Sequence, residues 1–470
     1  MALTSLNYLC FFLVFFLLYW IAFSKNKHLQ NASILAANLV FYSLWDWRFA
    51  FLLGVTIVST YTIGNCIFNS PKKRFFLLLA LILNLGLLFL FKYFDFFVNS
   101  FIDLFSVVGL SLKATTLKLF LPVGISFYTF SSLSYCLDIY KGSIQPTKDF
   151  IAFSAYASFF PSILSGPIGR ANKQLPQFFI KREFNPESAF AAGRSILWGV
   201  FIKLCIADKL GIYVDTVYDN ILYHNGTSLF FTQILYTIQI YTDFAGYSLI
   251  AIGSGKLLGI ELNDNFRRPY LSKTVTEFWR RWHISLTSWL RDYLYFPLGG
   301  SRVSIPRWML NVVIVFVVSG LWHGAAYSFI MWGLFHGIIM IIERLIYGDR
   351  MKQIKDSFSL TNVLRIIVTF NIVSILWIFF RLDSIQDSFV VIKKIFTDPG
   401  PLFFNSHLLI VAFAATFILI IKDITEEYHL KMKLLNNHHM AIRYATCVIL
   451  ICFILLFGEL DGSSFIYFKF

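Results

Sequence analysis

The chain has 470 residues, of which 57% are hydrophobic and only 14% charged, and it carries a formal net charge of +14. Soluble domains carry roughly 25% charged residues, and a water-soluble protein of this size lacks the interior volume to hide so much apolar surface. Composition therefore excludes a soluble enzyme, a disordered chain and a disulfide-rich secreted module, and leaves a polytopic membrane protein, for which the apolar runs below predict an all-α fold.

The basic excess does not point to nucleic acid, because Lys and Arg of membrane proteins gather in cytoplasmic loops and meet anionic lipid headgroups there. Six cysteines (Cys10, Cys66, Cys136, Cys205, Cys447 and Cys452) are scattered without ligand spacing, most of them inside apolar runs. They read as small buried hydrophobes, and no metal site is expected.

In chain order, the first apolar run, about Leu3 to Phe23, has neither a positive n-region nor a small-residue cleavage site. It reads as a retained span. Lys25, Lys27 and His28 follow it, which predicts a cytoplasmic loop and an outside N-terminus. A second run, Ser33 to about Leu44, ends at the interfacial string Trp45-Asp46-Trp47-Arg48. A third, Phe49 to Ile67, returns to the basic Pro71-Lys72-Lys73-Arg74.

Phe75 to Phe91 gives a fourth span, and further apolar stretches lie near Phe101–Leu112, Leu117–Leu137, Ile151–Leu164, Ala189–Ile206 and Leu229–Ile250. Others follow near Trp308–Leu321, Ala325–Ile342, Val363–Phe380, Leu408–Ile421 and Ala441–Phe457. Several are shorter than the ~20 residues of a helical crossing. Two are interrupted, at Pro122-Val123-Gly124 and from Phe160-Pro161 to Ser165-Gly166-Pro167. Irregular backbone at membrane depth survives only when buried in protein or lining a wet cavity. The pattern predicts about ten or eleven crossings plus re-entrant or interfacial helices around a central tunnel. All of 1–470 reads as a single integral-membrane domain, with N-terminal spans over 1–112, a motif-bearing core over 113–400 and C-terminal spans over 401–470.

The stretch Lys256–Arg307 departs from the lipid-like pattern. Nine Lys/Arg lie within it, including Arg280, Arg281 and Arg291, interleaved with Trp279, Trp282, Trp289, Tyr270, Tyr293 and Tyr295. Basic residues among amphipathic aromatics describe interfacial helices that bind headgroups. They equally suit a phosphate-rich ligand, since Arg forks fit phosphate and aromatic faces fit a purine.

Beyond this shelf, Trp308–Ile342 as one helix would be about 50 Å long, too much for a ~30 Å apolar core. A break is expected at Gly320–Gly324, and thirteen residues of helix climb ~20 Å, so His323 falls within the bilayer's thickness. An ionisable group at that depth is usually inward-facing and functional, and His is the natural general base near neutral pH. His336 on a continuous helix would lie about 220° around from His323, which disfavours a two-histidine metal site. Asp243, in Tyr241-Thr242-Asp243-Phe244-Ala245-Gly246-Tyr247, and Asp138 are further intramembrane carboxylates with hydroxyl neighbours. Each would line a hydrophilic tunnel or pair with a basic residue.

Five strings stand in order along the chain. They are Leu121-Pro122-Val123-Gly124-Ile125-Ser126-Phe127-Tyr128, Phe159-Phe160-Pro161 through Ser165-Gly166-Pro167-Ile168, Phe278-Trp279-Arg280-Arg281-Trp282-His283-Ile284-Ser285-Leu286 running on to Tyr295, Leu321-Trp322-His323-Gly324-Ala325, and Phe465-Ile466-Tyr467-Phe468-Lys469-Phe470. Together they resemble the membrane-bound O-acyltransferase family, in particular its bacterial branch that acetylates alginate and other exported polysaccharides.

The resemblance implies catalytic roles at His323, Asp243 and His336, and a donor-binding segment of Trp279, Arg280, Arg281, Trp282, Trp289 and Arg291. It implies acetyl-CoA as co-substrate, with no bound cofactor. The acceptor would be an exported polysaccharide or peptidoglycan, and the setting the inner membrane of a bacterium and its lipid. A separate periplasmic SGNH/GDSL-type acetyltransferase partner is implied as well. The alternatives are transfer of D-alanine or another acyl group to a teichoic-acid-type polymer, or a non-catalytic transporter of an acyl donor or lipid.

Overall fold

A computed structural model describes residues 2–110, 116–117, 119–164, 166–348, 354, 357–430, 433–459 and 465–466. Residues 111–112 of one apolar run, Ser165, residues 467–470 of the last string, and Arg350, Lys352 and Lys355, basic residues beyond the run that ends at Ile342, lie outside them. The described residues form helices and connecting segments, with no strand among them. Among the described residues eight helices are long and apolar enough to cross a membrane, and Leu6–Ile21 and Phe150–Ile163 are shorter apolar pieces. The protein is therefore an all-α polytopic membrane protein. Eight is fewer than the predicted ten or eleven because several apolar runs form helices of only 16 or 17 residues, Leu6–Ile21, Lys27–Ser43 and Ile125–Tyr140, and because two runs share one helix. Lys73–Val107 is a single 35-residue unit that merges the Phe75 and Phe101 runs.

The chain divides into two compact units, Met1–Ala192 with Ala251–Asn263, and Gly193–Ile250 with Asp264–Phe470.

In the first unit, side-chain oxygens of Ser5 and Asn26 accept the backbone N–H of Tyr8 and Leu29 and so start helices Leu6–Ile21 and Lys27–Ser43. Gly124, at φ +77°, turns the chain into helix Ile125–Tyr140, and a Cβ there would collide with the Ile163 carbonyl. The predicted interruption at Pro122-Val123-Gly124 is thus a helix start. Arg182 is buried and fully engaged: Nε donates to Tyr19 Oη (2.7 Å) and Nη2 to Asn31 Oδ1 (2.7 Å). A polar cavity of about 210 Å³ in this unit is lined by Gly169, Lys173, Gln174, Gln177, Glu261 and Asn263.

In the second unit, the stretch from Gly193 to Phe201 of helix Pro186–Phe201 continues through a π-helical turn, Ile202–Ala207, into Asp208–Tyr218. Gly199 and Gly246 face each other there, each placed so that a Cβ would press on the other's carbonyl oxygen (2.7 and 2.8 Å). Small residues let two helix backbones approach this closely, as is common in membranes. A second close pair joins Ile305–His323 to Tyr327–Tyr347: a Cβ on Gly320 would strike the Phe329 carbonyl, and one on Gly333 the Phe316 carbonyl. The predicted break is present a little later than expected, over Gly324–Ala326. Helix Ile305–His323 starts three residues before the apolar run does, and its 19 residues measure about 28 Å.

Between these helices the basic-aromatic shelf folds into short pieces, Val275–Arg281, Ile284–Leu290 and the π-turn Arg291–Tyr295, none long enough to cross. Thr274 Oγ1 accepts the Glu277 N–H (3.0 Å) and opens the first piece. Glu343 then holds the same helix start from a distant helix, its two carboxylate oxygens accepting the N–H groups of Val275 and Thr276 at 2.8 Å each.

Candidate active site

His323 is the last residue of its helix and is 2% exposed. Its ring is walled by Trp322 (centroids 5.0 Å), Phe380 (5.1 Å) and Trp332 (5.2 Å), and His283 stands 6.1 Å away. Bulk water is kept from this histidine by aromatic rings contributed by three helices.

His336 does not share a surface with His323 along one helix, because the helix is broken between them. It meets the site through Trp332, whose ring lies 5.1 Å from His336 and 5.2 Å from His323. Trp279 Nε1 donates to His336 Nδ1 (3.3 Å). The neutral His336 ring therefore carries its proton on Nε2. No group of three or more His, Cys, Asp or Glu able to hold a metal ion occurs among the described residues.

The predicted donor segment divides in two. Trp279, Trp282 and Trp289 are buried. Trp282 packs on Trp377 (4.9 Å), and Trp377 stacks on Trp332 (5.5 Å), so these tryptophans back the histidine site. Arg281 is committed to Glu277 and to Glu427, the latter at 2.8 Å. Burial alone would lower the Arg281 guanidinium, but these carboxylates hold it above its ordinary value. Arg280 is exposed, and Arg291, also exposed, pairs with Asp292 at 2.7 Å.

Asp243 is buried in a cluster of its own. Its Oδ1 lies 2.7 Å from Lys203 Nζ, and Lys203 in turn reaches Asp208 Oδ1 at 2.6 Å. Asp243 Oδ2 accepts the backbone N–H of Ile466 at 2.8 Å.

Two site residues escaped the sequence reading. Lys203 was visible as a lone lysine inside the Ala189–Ile206 apolar run, where a cation demands a partner. His283 sits within the Trp282-His283-Ile284-Ser285 string, and its left-handed backbone (φ +40°) turns the chain between the two short shelf helices. Asn265 fixes that turn: its carbonyl accepts the Ile284 N–H (2.9 Å) and its Oδ1 the Ser285 hydroxyl (2.8 Å). Burial pushes the His283 imidazole down to about 3, so the ring is neutral.

A buried imidazole among aromatic rings, at a helix break in a membrane protein, suits proton transfer in a dry chamber. Residues 3–382 match the family described as MBOAT, membrane-bound O-acyltransferase family. This chain belongs to that family. It is accordingly an acyltransferase. Among its relatives is the protein named "Probable alginate O-acetylase AlgI" of Pseudomonas aeruginosa, 35% identical over 405 residues that cover 84% of this chain and 75% of the relative. The "Peptidoglycan O-acetyltransferase" of Helicobacter pylori is 34% identical over 426 residues, covering 83% of this chain and 78% of its own length. The "Teichoic acid D-alanyltransferase" of Bacillus subtilis is 27% identical over 273 residues, 53% of this chain and 66% of the relative.

Proposed function

We propose that this acyltransferase moves acetyl groups from cytosolic acetyl-CoA to hydroxyls of an exported cell-surface polysaccharide or peptidoglycan, from the inner membrane of a bacterium. The observation that carries the chemistry is the enclosure of His323 by Trp322, Trp332, Phe380 and His283. The names of the alginate and peptidoglycan relatives support the acyl group and the acceptor class.

In this reading His323 is the general base. Its ring nitrogen takes the proton of the acceptor hydroxyl as that oxygen attacks the thioester carbonyl. The C–O bond forms, the C–S bond breaks, and the departing thiolate receives the proton back from the imidazolium. A dry chamber protects the thioester from water during this exchange. Arg280 and its basic neighbours meet the nucleotide phosphates on the cytoplasmic side. His336, locked by Trp279, supports Trp332 behind the base. A periplasmic SGNH/GDSL-type acetyltransferase completes delivery to polymer.

D-alanyl transfer to a teichoic-acid-type polymer is the second reading, favoured by the Bacillus subtilis relative at lower identity and coverage. The test supplies labelled acetyl-CoA to one face of proteoliposomes, places a periplasmic SGNH/GDSL-type acetyltransferase with soluble polysaccharide or peptidoglycan fragments on the other, and follows label into the fragments. Transfer by the wild type and its loss in His323→Ala is expected. Undiminished transfer by a folded His323→Ala protein would overturn the base assignment. Label entering only from a carrier-bound D-alanine donor would select the second reading.

A further inference from the structure

The buried charges of the second unit have no place in the reaction above, yet they are expensive to keep. Lys203 is 1% exposed and stands between two carboxylates, Asp208 (2.6 Å) and Asp243 (2.7 Å). The second oxygen of Asp243 is spent on a backbone amide from the far end of the sequence, Ile466, at 2.8 Å. The close approach of Gly199 and Gly246 permits this meeting, since a Cβ on Gly246 would also press on Lys203 Cβ at 3.0 Å. The same region is gripped a second time: Glu459 N–H donates to the Leu204 carbonyl (3.1 Å) and Lys209 pairs with the Glu459 carboxylate (3.5 Å).

The anchored segment reaches the histidines through rings. Phe465 is fully buried, 4.2 Å from Tyr247 and 5.9 Å from Phe244 by ring centroids. Phe244 packs edge-on to His283 at 4.7 Å, and His283 faces His323 at 6.1 Å. Lys203 Nζ lies 5.4 Å from the Tyr247 ring, on the charged side of the same wall.

We propose that Asp243 is a positioning residue: clamped by Lys203, it anchors the Phe465–Ile466 segment so that Phe465 closes the wall behind His283 and keeps water from the acyl donor. The water-exclusion half rests on the acetyl-transfer reading above. When the wall is open, water replaces the acceptor hydroxyl. Its oxygen bonds to the thioester carbonyl carbon, the C–S bond breaks, and acetate and the free thiol form, so donor is consumed without transfer.

Two measurements test this on the full-length protein in detergent or nanodiscs. Hydrogen exchange of the peptide containing Ile466 reads the anchor without any activity. Slow exchange in the wild type and at least tenfold faster exchange in Asp243→Ala are expected; equally fast exchange in both overturns the anchor. Since removing one partner of a buried ion pair is strongly destabilising, Phe465→Ala, which leaves Lys203, Asp208 and Asp243 intact, is the decisive variant for the wall. Its ratio of acetyl-CoA hydrolysed to acetyl transferred should rise about tenfold, with kcat for transfer falling more than KM. Phe465→Leu, which refills most of the volume, should restore the ratio. A folded Phe465→Ala protein with an unchanged ratio overturns the wall. A wild type that protects Ile466 but never consumes acetyl-CoA would instead overturn the donor assignment, with the exchange result standing for the anchor.

Discussion

His283 and His323 face each other with ring centroids 6.1 Å apart, one on the turn of the basic-aromatic shelf and the other at the end of a helix. In the general-base reading, the two imidazoles of this aromatic enclosure divide the labour of proton transfer. Replacing His323 by Ala should lower transfer roughly 10²- to 10⁴-fold, the range typical of a lost general base. His283→Gln, which keeps a polar group of similar reach, should lower kcat less than His323→Ala does. Steady-state kinetics on both folded variants checks the order, and equal losses would contradict it.

A neutral buried histidine also sets a pH dependence. His283 is held down to about 3 by burial, whereas the unfolded chain takes up the proton near the ordinary value of 6.5. The unfolded state therefore binds more protons between these values, so stability is full above about 6.5 and falls as pH drops towards 3, by up to about 1.4 kcal/mol per pH unit. Thermal unfolding in detergent should show this slope, and His283→Gln should flatten it.

The helix pair that presents His323 depends on glycine. A Cβ on Gly320 or Gly333 would collide with the carbonyl of Phe329 or Phe316, so Gly320→Ala and Gly333→Ala should each cost about 1–3 kcal/mol by overpacking. Gly86, in a helix with nothing within 4 Å of an added Cβ, is the control, and Gly86→Ala should be neutral or slightly stabilising. A comparison of unfolding temperatures decides between these outcomes.

Glu343 holds the first shelf helix by its N-terminus, and Glu427 holds Arg281 (2.8 Å) and Arg268 (2.7 Å) near its other end. Glu343→Ala should cost about 1–2 kcal/mol as a lost helix cap, and Glu427→Ala about 2 kcal/mol as lost charge-assisted hydrogen bonds. Both should loosen Trp279 and with it His336, so tryptophan fluorescence should shift to the red alongside the loss of stability. A stable protein with unshifted emission would show that the shelf does not need these carboxylates.

The helical membrane class was legible in composition, because so much apolar surface admits no other solvent than lipid. The place of His323 beside a helix break was legible as well, since Trp308–Ile342 is too long for a single crossing. The span count was less so, because several apolar runs form helices of only 16 or 17 residues and two others merge over Lys73–Val107. Asp243 was recognisable as a buried carboxylate, but not its partners. Lys203 and Ile466 approach it only because two glycines let helix backbones touch and because a distant segment folds back. His283 stood in plain view in its string, yet its meeting with His323 depends on a left-handed turn pinned by Asn265.

Sequence by itself thus determined the solvent, the helical class and the break that made one histidine conspicuous. Hydrophobic periodicity and chain length act locally and can be read residue by residue. The companions of that histidine, and the salt-bridged anchor behind it, were decided by tertiary structure alone. Close backbone approach and long-range return of the chain are properties of the packed helices, and no local pattern encodes them.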